Sequence, residues 1–323
     1  MIYNLPRRHA VWPSDLDTAL EFSSANPFSI FAPKNWDGKL EYTNGNGWKM
    51  WDGSIIVSGE IENNHCIYLR GTGNSKITGV FSSNAKWRIS GTNIACKGNI
   101  DRLLDYSTVK GGNRPSMASS CYSYMFKDCT SLTTAPALPA TTLADSCYRN
   151  MFQGCTSLTN APTLPATTLA DSCYYYMFYN CSSLTTAPAL PATTLANYCY
   201  QYMFRGCTSL TTAPALPATT LANYCYAYMF YNCSSLTTAP ALPATTLANY
   251  CYQYMFSGCR ALYVSDTYGS SYTITWKIPT GSVGNANYTM TDMFFFCLGT
   301  RSTDSPNFNG VQKTYYTQNM PVT

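Results

Sequence analysis

Cys121-Tyr-Ser-Tyr-Met-Phe-Lys-Asp-Cys-Thr-Ser-Leu-Thr-Thr-Ala-Pro-Ala-Leu-Pro-Ala-Thr-Thr-Leu-Ala-Asp-Ser146 is a unit that the chain goes on repeating. Its opening, Cys-Tyr-x-x-Met-Phe-x-x-Cys, starts at Cys121, Cys147, Cys173, Cys199, Cys225 and Cys251, always 26 residues apart. Its second half, Ser-Leu-Thr-Thr-Ala-Pro-Ala-Leu-Pro-Ala-Thr-Thr-Leu-Ala, recurs at 131–144, 183–196, 209–222 and 235–248. The copy at 157–170 differs only by Asn160 and Thr163. A fixed period of this length points to a solenoid. One unit has too little apolar surface to fold alone, whereas stacked units share a continuous core.

Within a unit, Cys121, Met125 and Cys129 stand at i, i+4 and i+8, and Tyr122 pairs with Phe126. That stripe predicts a short helix over 118–129, with Ser123, Tyr124, Lys127 and Asp128 on its other side. The Thr-rich run after Cys129 suits a short strand. Pro136 and Pro139 limit it, because proline cannot donate to a ladder. Stacked at roughly 4.8 Å, such strands would make a parallel sheet, with Met125, Phe126, Leu132, Leu138 and Leu143 inside. Each buried side chain of this kind contributes roughly 1.5–3 kcal/mol. The expected fold class is therefore an α/β repeat solenoid of short parallel strands and short helices.

These residues carry a resemblance. Met-Phe-x-x-Cys-x-Ser-Leu followed by Leu-Pro-Ala-Thr-Thr-Leu resembles the BspA-like leucine-rich repeats of gut and oral bacteria and their phages. The resemblance implies a curved solenoid and an adhesin or surface-recognition role, and it names no ligand. Leu69-Arg-Gly-Thr-Gly-Asn74 resembles the β module that precedes such repeats in prophage and gut bacterial proteins.

Composition narrows the classes. The 323 residues are 46% hydrophobic and only 11% charged, with a net charge of +4. Residues 121–259 balance Lys127, Arg149 and Arg205 against Asp128, Asp145 and Asp171. Without a basic stripe, nucleic acid is not an expected partner. No run of 18 apolar residues predicts a membrane span. Arg7 and Arg8 are followed by Ala10-Val-Trp-Pro-Ser-Asp15 rather than an apolar run, so no classical signal peptide is expected. The expected location is a virion surface or the extracellular space, and release by lysis would bring the chain there. Of 15 cysteines, Cys66, Cys96 and Cys297 lie outside the repeats. Buried free thiols and disulfides between neighbouring turns both fit. The Cys-x7-Cys spacing lacks the close pairs of zinc sites, so no metal or other cofactor is expected.

Outward from the repeats, residues 1–20 read as an N-terminal arm broken by Pro6 and Pro13, able to dock on other virion or tail proteins. Residues 21–110 read as a small all-β, sandwich-like module. Its strands are Phe28–Phe31, Lys39–Tyr42, Trp48–Trp51, Ser54–Val57, Ile67–Arg70, Ile77–Phe81 and Trp87–Ser90, with turns at Asn44-Gly45, Asn46-Gly47 and Asp52-Gly53. A helix over Ile100–Tyr106 would cap the solenoid, which spans 111–262. Residues 263–323 hold an insertion with a strand over Tyr272–Ile278. A degenerate last turn follows at Met293–Cys297, where Thr289 and Met290 replace the first Cys and Tyr.

Function is sought where the repeats vary. Around the constant residues lies a ridge of Tyr, Asn, Ser, Gly and Arg. The candidate ligand-binding residues are Tyr124, Arg149, Tyr175, Tyr176, Tyr179, Tyr198, Gln201, Tyr202, Arg205, Tyr224, Tyr228, Tyr231, Tyr250, Gln253 and Tyr254. Tyrosine gives large contact area at low entropic cost, with a hydroxyl at its tip. Its faces also suit sugar rings. The plainer reading is that solvent-facing positions drift. No enzyme is expected: the only histidines are His9 and His65, and His65 and Cys66 would point to opposite faces of a strand. Acidic residues are too sparse for a paired-carboxylate site. Three functions remain in view. They are a phage or prophage receptor-binding protein for a surface glycan or protein, a bacterial adhesin, and a structural spacer or virion decoration.

Overall fold

The computed structural model describes residues 12–79, 82–265, 274–278, 292–297 and 313–318. The repeats stack coil on coil, but not by the expected elements. Residues 119–128 are not helical. Ser120, Tyr124 and Asp128 have φ of 57°, 62° and 59°, and the equivalent residues of the following coils repeat this. A helix needs φ near −63° throughout, so each positive φ turns the chain. The result is two interleaved sets of hydrogen bonds. Ser123, Met125, Lys127 and Cys129 donate to carbonyls three residues back, at 3.0–3.2 Å. Ser120, Tyr122, Tyr124, Phe126 and Asp128 donate to Asp145, Cys147, Arg149, Met151 and Gln153 of the next coil, at 2.7–2.9 Å. The second set makes a ladder along the stack, and in the later coils it again joins residues 25 apart.

The Thr-rich segments are parallel, as the sequence implies, but shorter than expected. Only Leu132–Thr134 (β10 below) is a strand. In later coils the same position makes single bridges, Asn160↔Thr186, Thr186↔Thr212 and Thr212↔Thr238. Flanking prolines remove the donors that would lengthen them. Inside, Met125, Phe126 and Leu132 are buried with their copies, and Leu138 and Leu143 are buried with most of theirs, Leu169, Leu221 and Leu242 being half-buried. Tyr122, Tyr148, Tyr174, Tyr200, Tyr226 and Tyr252 stack at 5.7–6.0 Å. Phe126 heads a second stack at 5.5–5.7 Å that runs to Phe256. Ser123 is buried too, its hydroxyl donating to Ser146 O at 2.8 Å, so it does not belong to the outer side.

Before the repeats come β1 (Leu20–Ser24), β2 (Ser29–Phe31), β3 (Lys39–Thr43), β4 (Lys49–Met50), β5 (Ile56–Val57), β6 (Gly59–Ile61), β7 (Asn64–Thr72), β8 (Arg88–Ser90) and β9 (Ile94–Lys97). One sheet runs β10-β9-β1-β7-β3-β4, with β6 also on β7, and a second runs β5-β2-β8. Because β10 belongs to the first coil and pairs with β9 in parallel, the repeats continue the edge of this sheet. Ile77–Gly79 is not the expected strand. Its N–H groups donate to the carbonyls of Cys121 and Ser120. Trp87 N–H likewise donates to Met125 O, and the Trp87 ring lies 6.2 Å from Phe126, heading the phenylalanine column. Helix α1 (Arg102–Lys110) follows, and Tyr122 donates its hydroxyl to Ile100 O and to the buried Asp101.

Residues 12–20 lie against the sheet rather than extending away. Trp12 packs edge-on to Tyr68, and Asp15 and Glu41 pair with Arg70. The rest of the expected arm, 1–11, lies outside the described residues. At the other end, Phe256 and Gly258 donate to Met293 and Phe295, carrying the ladder into a last partial coil. Asp292 and Phe296 repeat the positive φ at the same four-residue spacing. Strands β11 (Tyr263–Ser265), β12 (Ile274–Ile278) and β13 (Lys313–Gln318) form a sheet in the order β11-β13-β12. Thr289, Met290 and most of the expected insertion lie outside the described residues. No helix among the described residues is long and apolar enough to cross a membrane.

Candidate recognition surface

The positive-φ positions carry part of the variable ridge. Eight tyrosines (Tyr124, Tyr176, Tyr198, Tyr202, Tyr224, Tyr228, Tyr250 and Tyr254) have φ between 51° and 62°. A bulky side chain is rare in that conformation, which costs an L-residue roughly 1–2 kcal/mol. Serine and asparagine hold the same positions at Ser120, Ser146, Asn150 and Ser172.

Stacking brings most of the candidates together. Tyr176, Tyr202, Tyr228 and Tyr254 form a column with ring centroids 4.3, 4.6 and 4.7 Å apart, planes within 19°. Tyr198, Tyr224 and Tyr250 form a second, at 5.1 and 4.4 Å. Tyr175 and Tyr179 meet Tyr176 edge-on, and Tyr231 lies against Tyr228 and Tyr254. Arg149 sits 4.3 Å from the Tyr175 ring, and Arg205 lies over Tyr179, Tyr202 and Tyr231. Tyr124 is not in the column, because Asn150 occupies the intervening coil; Lys127 lies over its ring. Gln201 is buried, whereas Gln253 is half-buried. The stacked faces are therefore occupied by one another, and the columns present edges and hydroxyls.

Burial raises Tyr176 and Tyr175, and pushes Tyr228 up to about 12. Tyr254 is raised by the hydrogen bond it gives Asp292.

Two other variable columns turn out to be packing devices. Asp145 Oδ1 accepts the N–H of Asp171, and Asp171 Oδ1 that of Asn197. Asn197 and Asn223 do the same for Asn223 and Asn249, all at 2.9–3.2 Å. Exchanging Asp for Asn keeps that acceptor and removes the charge. In the column Asp128, Gly154, Asn180, Gly206, Asn232, Gly258, glycine alternates with Asp or Asn. A Cβ on each glycine would collide with the side-chain oxygen of the residue one coil earlier. This alternation makes a two-coil period that the 26-residue motif hides. Beside the Asn column lies an open cavity of about 410 Å³ lined by Asn197, Asn223, Thr220, Leu221 and Leu247, with no charged residue.

All fifteen cysteines are buried and free. From Cys155 to Cys259 and again at Cys297, one thiol per coil donates to the Phe carbonyl of the coil before, at 3.0–3.1 Å. His65 and Cys66 are neighbours on β7, and burial pushes the Cys66 thiol up to about 11.

No curated protein and no solved structure matches the chain. A family model does, that of the BspA type leucine rich repeat region, and repeats of this type fit a surface-recognition role. That model matches residues 119–263, in six copies.

Proposed function

We propose that this chain is a non-enzymatic recognition protein that binds a bacterial surface glycan or protein through its tyrosine-rich face. In this reading the repeats form a solenoid over 111–262, residues 21–110 are an all-β module closing one end, and 263–323 close the other. The supporting observation is the eight tyrosines at positive φ. Strained backbone recurs where a site needs it, and asparagine, as at Asn150, holds such a position with less strain. The finer reading, a phage or prophage tail-associated receptor-binding protein on a virion surface, draws on the resemblance of Leu69–Asn74 and the repeats to prophage proteins.

Two observations favour other readings. The BspA type match fits a bacterial cell-surface adhesin. The mutual stacking of the outer rings fits a spacer, in which tyrosine serves only the fold. Labelled protein offered to a panel of intact gut bacteria separates recognition of a bacterial surface from the spacer. Strain-selective binding supports recognition, and binding to no strain while the protein remains folded points to a spacer.

A further inference from the structure

Arg205 is the only charged residue between Asp171 and Arg260. It stands in the column Tyr179, Arg205, Tyr231, one residue per coil. Its guanidinium carbon lies 5.4 Å from the ring of Tyr179 in the coil before and 4.8 Å from that of Tyr231 in the coil after. Tyr202, in its own coil, is 5.6 Å away. The side chain is half-buried, and among the described residues no carboxylate pairs with it. Two other embedded cations have carboxylates: Arg70 has Asp15 and Glu41, and Arg114 has Asp101.

Rings hold a guanidinium by cation–π attraction but accept none of its five N–H donors in the ring plane. The fork is thus fixed in place with its hydrogen-bonding edge unspent. Its surroundings lack a counter-charge as well. The column that carries Asp145 and Asp171 continues in the coil of Arg205 and the next two as Asn197, Asn223 and Asn249, keeping the acceptor oxygen and losing the negative charge. A single cation in a neutral, partly desolvated surface is matched by a single monoanion. A planar carboxylate fits the fork in bidentate fashion. A phosphate dianion would call for more positive charge than this surface has.

We propose that Arg205, clamped between Tyr179 and Tyr231, is a subsite that reads the carboxylate of an acidic sugar. This rests on the recognition reading above and names its ligand class. A glycan is favoured over a peptide because the flanking column offers phenol hydroxyls and ring edges, its faces being stacked at 4.3–4.7 Å. A hydroxyl-rich chain finds partners along that row, and an apolar peptide anchor finds no ring face there to bury against.

The test uses the full chain and its Arg205→Gln and Arg205→Lys variants. The probes are immobilised polygalacturonate, alginate and hyaluronan, their carboxyl-reduced forms, neutral dextran, dextran sulfate and polyglutamate. The expected result is binding to at least one polyuronate that weakens about tenfold or more on carboxyl reduction and by a similar factor in Arg205→Gln. Arg205→Lys should fall between, keeping the charge without the fork. The proposal is overturned if Arg205→Gln binds like wild type, or if carboxyl-reduced polymer binds as well as its parent. It also fails if no polyuronate binds, or if dextran sulfate or polyglutamate binds equally well. Cell binding read in parallel keeps the two claims apart. Undiminished binding of Arg205→Gln to cells removes this subsite and leaves recognition standing, whereas wild type that binds no cell removes both.

Discussion

A Cβ added to Gly154 would stand 2.6 Å from Asp128 Oδ1, in the coil before it. Gly206 and Gly258 meet Asn180 and Asn232 in the same way, and all three glycines have φ above 70°. Variation that reads as drift is here a two-coil packing rule: one side chain leans over the backbone of its neighbour, which must then have none.

That rule gives a double-mutant prediction. Gly206→Ala should destabilise by about 2–4 kcal/mol, combining a left-handed alanine with the collision. Adding Asn180→Gly removes the collision, so the pair should recover about half of that loss. Chemical denaturation of the two single variants and the double variant measures the coupling. Strict additivity would contradict the packing rule.

The buried thiols and phenols predict alkaline unfolding. Burial pushes Cys129, Cys173, Cys181, Cys225 and Cys233 up to about 12, and raises Tyr122, Tyr148 and Tyr174. An unfolded thiol ionises near pH 8.5–9. Between about pH 9 and 12 the unfolded chain therefore holds fewer protons than the native one, and stability falls as pH rises. The loss is about 1.4 kcal/mol per thiol per pH unit. Circular dichroism in reductant should show cooperative unfolding near pH 10 that reverses on return to pH 8. A fold that persists unchanged at pH 11 would contradict the burial.

The same thiols should be unreactive in the native state. A thiol held neutral is a poor nucleophile. Iodoacetamide at pH 7.5 should label almost none of the fifteen cysteines until denaturant is added, and then all of them. Rapid native labelling of the repeat cysteines would mean that the coils open.

Much of this fold is legible in the sequence. The 26-residue step and the buried Cys, Tyr, Met, Phe and Leu positions follow from reading the repeats alone. The helix is the error, and its cause is physical. Cys121, Met125 and Cys129 are four apart both on a helix and on a run of turns with one left-handed residue in four. Over eight residues the two periods drift by only about a fifth of a turn. The distinguishing signal is Gly154, Asn180, Gly206 and Asn232, residues that prefer positive φ. It is obscured because three of the four positions four residues earlier, Tyr176, Tyr202 and Tyr228, hold tyrosine. The ridge was visible as residue types, but not the stacking of Tyr176 on Tyr202, since the sequence does not say which side chains of successive coils lie in one line. Gln201 was inseparable from Gln253 for the same reason, yet one is buried and the other half-buried.

The strain at the tyrosine column makes a prediction about stability. Replacing Tyr202 by Asn removes roughly 1–2 kcal/mol of left-handed strain and loses roughly 0.5–1.5 kcal/mol of ring stacking. Asn150 already occupies this position in the second coil. Thermal and denaturant unfolding of Tyr202→Asn should therefore lie within about 1 kcal/mol of wild type. A loss of about 3 kcal/mol or more would assign the ring to the fold.

The most direct measurement follows from that comparison. A variant carrying Tyr176→Asn, Tyr202→Asn, Tyr228→Asn and Tyr254→Asn is assayed for unfolding free energy and for binding to intact bacteria of a strain that wild type recognises. The expected result is a folded, equally cooperative protein whose cell binding falls by about tenfold or more. Full binding with these four rings gone, in a variant of unchanged stability, would contradict recognition through the tyrosine face.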